Sequence, residues 1–193
     1  MLRIIAGVAK GRTLGSVAGA TRPTSDRARE GLFSSLTSEF GSFLGLHVLD
    51  LFAGSGAIGL EALSRGASIV HAIEPDPEAE NTIKNNSKLV LKYQPVGEFQ
   101  LYAMTAQRFV TDSAKESYHI VYIDPPFNFT NTGVDEILQS LHVGGFLKDD
   151  ALIAVERTAK GSKFSWPEGF SSARERSYGA ASIFYGYFSP GNG

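Results

Sequence analysis

Val48-Leu49-Asp50-Leu51-Phe52-Ala53-Gly54-Ser55-Gly56-Ala57-Ile58-Gly59 is an apolar strand running into a glycine turn, and its reading decides the fold. Outward from it the chain alternates. The strand, residues 47–52, leads to a helix near 57–65 that Gly66 closes. A strand over 68–74 precedes a helix over 77–91, and a strand over 98–102 precedes a short helix over 105–115. A strand over 118–123 passes through a Pro-Pro turn to a helix near 134–141, where Val134, Ile137, Leu138 and Leu141 recur at i, i+3, i+4 and i+7. A strand over 151–156 follows. Residues 173–177 and 181–188 then read as an antiparallel hairpin around Tyr178-Gly179-Ala180, with a loose tail at 189–193. The alternation implies an α/β, Rossmann-like fold: a mostly parallel seven-stranded sheet with a C-terminal antiparallel hairpin, covered by helices on both faces.

Residues 1–45 read differently. Strands over 2–8 and 12–17 are joined by Ala9-Lys10-Gly11, a hairpin signal. A loop over 19–23 precedes Thr24 and Ser25, either of which can cap a helix over 26–38 with Ala28, Leu32, Phe33 and Leu36 on one face. The expected organisation is therefore a small hairpin-and-helix extension, 1–45, ahead of a main domain, 46–193.

Of 193 residues, 42% are hydrophobic and 20% charged, ordinary values for a globular chain. No apolar run approaches the roughly 20 residues that span a bilayer, and the N-terminus lacks a signal-peptide pattern. A cytoplasmic protein is expected. The absence of cysteine excludes disulfides, thiolate metal sites and a cysteine nucleophile. His47, His71, His119 and His142 show no ligand spacing, so no metal is expected. Net charge is −2 but unevenly spread: residues 1–30 hold six basic and two acidic groups, the remainder twelve and eighteen. A basic face for phosphate contact on an acidic body is the implication.

Gly54-Ser55-Gly56-Ala57-Ile58-Gly59 fits G-x-G-x-x-G, and Glu74 lies twenty residues after Gly54, placed to accept ribose hydroxyls. Dinucleotide sites share that arrangement. Asp50 separates the two: a carboxylate just before the turn repels a pyrophosphate and favours an ammonium. S-adenosylmethionine carries the ammonium and no phosphate. The expected cofactor contacts are Asp50, Phe52, Gly54, Ser55, Gly56 and Glu74. The third strand ends without an acid, leaving Tyr102, Ala103 or Met104 to meet adenine by backbone contact or packing, Met104 being the choice.

Val121-Tyr122-Ile123-Asp124-Pro125-Pro126-Phe127 is a second apolar strand, ending in a stiff turn. An exocyclic amine is a poor nucleophile because its lone pair is delocalised. Two acceptors aimed at its N–H groups, here Asp124 and the Pro125 carbonyl, favour a pyramidal nitrogen and stabilise the positive charge that develops during attack. Phe127 offers a flat face for stacking a flipped-out base. Asp124, Pro125 and Phe127 are the expected catalytic set. An isolated Asp-Pro-Pro would read as turn chemistry alone; its place after the glycine turn is what favours catalysis.

These segments, with Arg3-Ile4-Ile5-Ala6-Gly7, Lys10-Gly11-Arg12, Thr21-Arg22-Pro23-Thr24-Ser25-Asp26-Arg27-Ala28-Arg29-Glu30 and Glu61-Ala62-Leu63-Ser64-Arg65-Gly66-Ala67, resemble one family. It is the bacterial 16S ribosomal RNA (guanine-966) N2-methyltransferases. The Arg-Pro-Thr block is the specific part, since the other two motifs occur in many amine methyltransferases. The resemblance covers most of the chain and is least distinctive over 157–193. It implies a Rossmann-like methyltransferase that uses S-adenosylmethionine, with an RNA-engaging extension. The implied partner is 16S ribosomal RNA in an assembled small subunit, met by a monomer without membrane or metal. Arg3, Lys10 and Arg12 are assigned to RNA, Arg22 to the mouth of the active site, and Arg27 in part to ion pairing. The rival reading is an amine methyltransferase acting on DNA adenine or protein glutamine. Those more often carry Asn where Asp124 stands.

Overall fold

The computed structural model describes residues 1–17, 26–158 and 164–188. Its elements in chain order are α1 (Asp26–Phe40), β1 (His47–Asp50), α2 (Ala57–Ser64), β2 (Ile69–Ile73), α3 (Pro77–Leu91), β3 (Glu98–Tyr102), α4 (Ala106–Phe109), β4 (Tyr118–Ile123), α5 (Asn131–Val143), β5 (Leu147–Thr158), β6 (Phe170–Tyr178) and β7 (Ala181–Phe188). The strands form one sheet in the order β3-β2-β1-β4-β5-β7-β6, parallel from β3 to β5, with β7 and β6 added antiparallel. The order reverses between β1 and β4. At such a switch point, connections leave in opposite directions and open a crevice at the carboxyl ends of the strands.

Strand alternation sorts the core into two layers. Val48, Val70, Ile120, Tyr122, Leu152 and Ala154 face Leu32, Phe33 and Leu36 of α1 and Leu60 and Leu63 of α2. Leu49, Val121, Ile123, Ile153 and Val155 face Val134, Ile137, Leu138 and Leu141 of α5, and Ala106 of α4. Each buried aliphatic side chain contributes about 1.5–3 kcal/mol against exposure.

Three expectations are corrected. Segments 2–8 and 12–17 pair only through one antiparallel bridge, Arg3 with Thr13, framed by Ile4 N–H on the Arg12 carbonyl (2.9 Å) and Leu14 N–H on the Leu2 carbonyl (2.9 Å). The strand stops because its next donors turn to α2. Ile5 and Ala6 N–H donate to the Glu61 carboxylate (2.6 and 2.9 Å), and Val8 N–H to the Ser64 carbonyl (2.8 Å). The helix expected over 105–115 ends at Phe109: the Thr111 hydroxyl takes the Gln107 carbonyl (2.8 Å) and Ala114 N–H leaves for Gly144 (2.9 Å). Strand β1 stops at Asp50 rather than at residue 52, because Leu51 and Phe52 already enter the turn.

Helix α1 runs two residues past its expected end and buries Arg29 along with the apolar face. Arg29 pairs with Asp26 (2.7 Å) and donates to the Arg3 carbonyl (3.0 Å), tying the helix to the N-terminal ribbon. The expected caps at Thr24 and Ser25, the loop 19–23 and the tail 189–193 lie outside the described residues. Gly31, a cost of roughly 1 kcal/mol in a helix interior, has a packing reason. A Cβ there would stand 2.1 Å from the Tyr178 hydroxyl, so glycine admits the β6 end against α1. Ile4, Ala9 and Leu14 of the ribbon join the same apolar cluster as α1, α2 and the sheet. Among the described residues no helix is long and apolar enough to cross a membrane.

Candidate active site

The crevice at the switch point is a cleft of ≈ 970 Å³. Its walls come from the ends of four strands: Phe52 and Gly54 after β1, Glu74 and Pro75 after β2, Asp124–Phe127 and Phe129 after β4, and Glu156–Thr158 of β5. Thr105–Gln107 and Ala180–Ala181 complete it. Segments 70 residues apart in the chain thus meet because β1 and β4 are neighbours in register, Asp50 beside Tyr122.

The glycine turn is built on left-handed backbone. Gly54 has φ +53° with nothing within 4 Å of a Cβ position, so its backbone faces open space. Gly56 has φ +76°, and a Cβ there would crowd Ile83 at 3.2 Å. Both need glycine. Glu74 links the two strand ends: one oxygen accepts Gly54 N–H (2.8 Å), the other Asp76 N–H (3.0 Å). Asp76 in turn caps α3 through Ala79 N–H (2.8 Å).

Asp50 lies beneath this turn, not on the cleft wall, and is 1% exposed. Its Oδ2 accepts Gly59 N–H at 3.3 Å, while Oδ1 is buried and meets no donor at good hydrogen-bond geometry among the described residues. Burial pushes its carboxyl up to about 7; the Gly59 and Phe52 N–H groups oppose the rise and the Glu74 charge adds to it. An unsatisfied buried acceptor beside a glycine turn fits a cationic ligand group, which would lower its cost.

The loop after β4 is held rigidly. Phe129 N–H closes the turn onto the Pro126 carbonyl (2.9 Å), not onto that of Pro125. Phe129 packs edge-on against Phe52, ring centroids 5.3 Å apart. Arg157 donates to the Phe129 carbonyl at 2.7 Å, and Thr130 caps α5 through Gly133 N–H (3.0 Å). Burial lowers the Arg157 guanidinium from its ordinary value and the nearby Asp124 charge opposes that drop. Phe127, by contrast, is 81% exposed at the cleft.

The cleft therefore gathers Phe52, Gly54, Glu74, Asp124, Pro125 and Phe127. Ser55, Gly56 and Met104 stand off its wall: the Ser55 carbonyl is held by Asn86 (2.9 Å), Gly56 is buried, and Met104 packs into the second core layer. Arg3, Lys10 and Arg12 are exposed on the ribbon, Arg12 lying over Tyr93 at 4.9 Å, and Arg22 lies outside the described residues. Arg157, Phe129 and Asn86 carry no local sequence signal. Glu156 carries one, its place at a strand end. Among the described residues no cluster of His, Asp and Glu could hold a metal.

Residues 2–187 match the family described as Conserved hypothetical protein 95. The chain is 36% identical to ribosomal RNA small subunit methyltransferase D of Escherichia coli K12 over 177 residues, 91% of this chain and 84% of that one. The Haemophilus influenzae protein of the same name is 33% identical over 182 residues, 94% and 91% of the two chains. The chain belongs to this family. A solved Escherichia coli structure classed as a methyltransferase covers 97% of this chain and 98% of its own, with TM-score 0.81 and 32% identity. Magnesium protoporphyrin IX methyltransferase from Synechocystis, solved with S-adenosylmethionine bound, shares the fold at TM-score 0.63 and 14% identity over 83% and 77% of the chains. The Rossmann-like methyltransferase architecture, closed by a C-terminal antiparallel hairpin, is thus that of the family.

Proposed function

We propose that this chain transfers a methyl group from S-adenosylmethionine to the exocyclic N2 amine of a guanine in small-subunit (16S) ribosomal RNA. The observation that carries the reading is the convergence of Gly54, Glu74 and Asp124–Phe127 on one cleft. Its volume is at the upper end of ligand pockets, enough for a nucleoside cofactor and a base together. The family members named above are ribosomal RNA methyltransferases, which supports the substrate class.

The cofactor, when bound, supplies an electrophilic methyl group on sulfur. Glu74 would hold the ribose hydroxyls and the Gly54–Gly56 backbone the methionine end, with Asp50 acting on its charge from beneath the turn and Phe52 packing alongside. Met104, which stands off the cleft wall, would bear on adenine only through packing. At the acceptor, Asp124 and the Pro125 carbonyl receive the two N–H groups of the amine and stabilise its developing positive charge. Phe127 stacks on the flipped base. Fixed geometry supplies much of the rate, because the loop bearing Asp124 is already clamped by Arg157 and the Pro126 turn.

Residues 1–45 are the RNA-engaging extension, with Arg3, Lys10 and Arg12 on phosphates and Arg22 also assigned to RNA. The enzyme works as a cytoplasmic monomer on an assembled small subunit. The alternative, DNA adenine or protein glutamine as acceptor, is disfavoured by an aspartate at position 124.

The deciding experiment is tritiated methyl transfer to small subunits that lack the modification, with wild type and Asp124→Ala. Label recovered as N2-methylguanine in 16S RNA, and lost in the variant, is the expected result. S-adenosylmethionine binding without label in RNA would move the acceptor to DNA or protein.

A further inference from the structure

The end of β5 adds a second carboxylate to the cleft. Ile123 and Val155 are register partners in β4 and β5, so Asp124 and Glu156 are the next residues on two adjacent chains, in strands spaced about 4.8 Å apart. Both line the cleft. Glu156 is only 8% exposed, and its Oε2 accepts the Tyr122 hydroxyl in a short hydrogen bond. Tyr122 is 2% exposed and rooted in the core, so it fixes the direction of the carboxylate. An ionised carboxylate is an acceptor only, with about four lone-pair sites, so it can hold neighbours within the protein and a ligand donor together. Arg157 supplies a positive charge beside the pair, within electrostatic reach of Asp124.

Two acceptors side by side match a ligand with two donors side by side. The Watson–Crick edge of guanine presents N1–H and N2–H₂ side by side, both nitrogens being bonded to C2. Adenine presents an acceptor at N1. Cytosine presents one at N3. We infer that Glu156 is the guanine-specifying residue: its carboxylate accepts N1–H of the base whose N2 amine Asp124 receives. This rests on the guanine-N2 reading above and deepens it. The N1–H hydrogen bond to an anion also draws electron density onto the ring and makes N2 a better nucleophile. A base with an acceptor at N1 would set two lone pairs against each other, the arrangement that gives polar recognition its large discrimination.

The test uses 2-aminopurine, which keeps the C2 amine but has a lone pair at N1. Small subunits are reconstituted with 16S RNA carrying guanine or 2-aminopurine at the position that wild type methylates, and kcat/KM is measured for each. Wild type prefers guanine by about 10- to 100-fold. In Glu156→Gln the amide can offer N–H or C=O, and the ratio falls toward one, with S-adenosylmethionine affinity retained. Should that variant fail to bind cofactor, Tyr122→Phe decides, with the ratio falling several-fold. An equal drop on both substrates, which a merely structural carboxylate would produce, overturns the inference, as does a wild type that does not discriminate. A wild type that puts no methyl on guanine N2 overturns the functional reading as well, a result distinct from methylation with an unchanged ratio.

Discussion

Asn86 of α3 donates to the Ser55 carbonyl at 2.9 Å, so the cofactor turn is fastened to a helix rather than left as a free loop. The same amide group donates to the Gly15 carbonyl (2.9 Å), and its oxygen accepts Gly15 N–H (2.7 Å). One buried side chain therefore ties the N-terminal ribbon to the glycine turn. Asn86→Ala leaves these backbone groups without their partner and should cost about 2–3 kcal/mol of stability in urea unfolding. Isothermal titration should show weaker S-adenosylmethionine binding in the folded variant. An unchanged unfolding midpoint would contradict the tie.

Asp50 makes stability depend on pH in an unusual direction. Its carboxyl stands at about 7 in the fold against an ordinary value of 3.8. Below 3.8 it is protonated in both states, and stability does not vary with pH through it. Between 3.8 and about 7 the unfolded chain loses the proton first, so stability falls as pH rises; above 7 the loss is complete. Asp50→Asn should remove this fall, and the wild-type-minus-variant difference in unfolding free energy should change across that window. A cationic cofactor group beside Asp50 would favour its ionised form. Near pH 7, binding should therefore release more protons from wild type than from the variant, measured by calorimetry in two buffers.

Phe127 separates function from folding. Its ring is largely exposed, so Phe127→Ala should move stability by no more than about 0.5 kcal/mol. Loss of a stacking face for the base should lower kcat/KM on small subunits by about ten- to a hundredfold. Full activity in this variant would remove Phe127 from the acceptor site.

Lys10 and Arg12 project from the ribbon that Glu61 and Ser64 hold. Lys10→Ala with Arg12→Ala should weaken RNA binding and reduce the slope of log affinity against log salt by about 1–2, leaving cofactor affinity intact. Filter binding across a salt series reads both. Arg12 also lies over Tyr93, so the single Lys10→Ala variant is the cleaner measure of phosphate contact.

Much of the fold is legible because its signals are local. α3 at Pro77–Leu91, β3 at Glu98–Tyr102 and β4 at Tyr118–Ile123 fall on the residues that periodicity indicates. The ribbon was not legible as a docked strand, because its donors meet Glu61 and Ser64 more than fifty residues away. Nor does anything near Gly31 announce Tyr178, or anything near Asp124 announce Arg157.

By itself the sequence determined the order of strands and helices, the glycine turn and the Asp-Pro-Pro-Phe loop, because hydrophobic period and turn chemistry act between near neighbours. Only the tertiary structure decided that Asp50 is buried under its turn, that Asn86 binds the ribbon to the cofactor loop, and that Glu156 stands beside Asp124. Those relations depend on which strands lie adjacent and in what register. Adjacency is set by burial of whole faces, a property of the assembled sheet that no short window of residues contains.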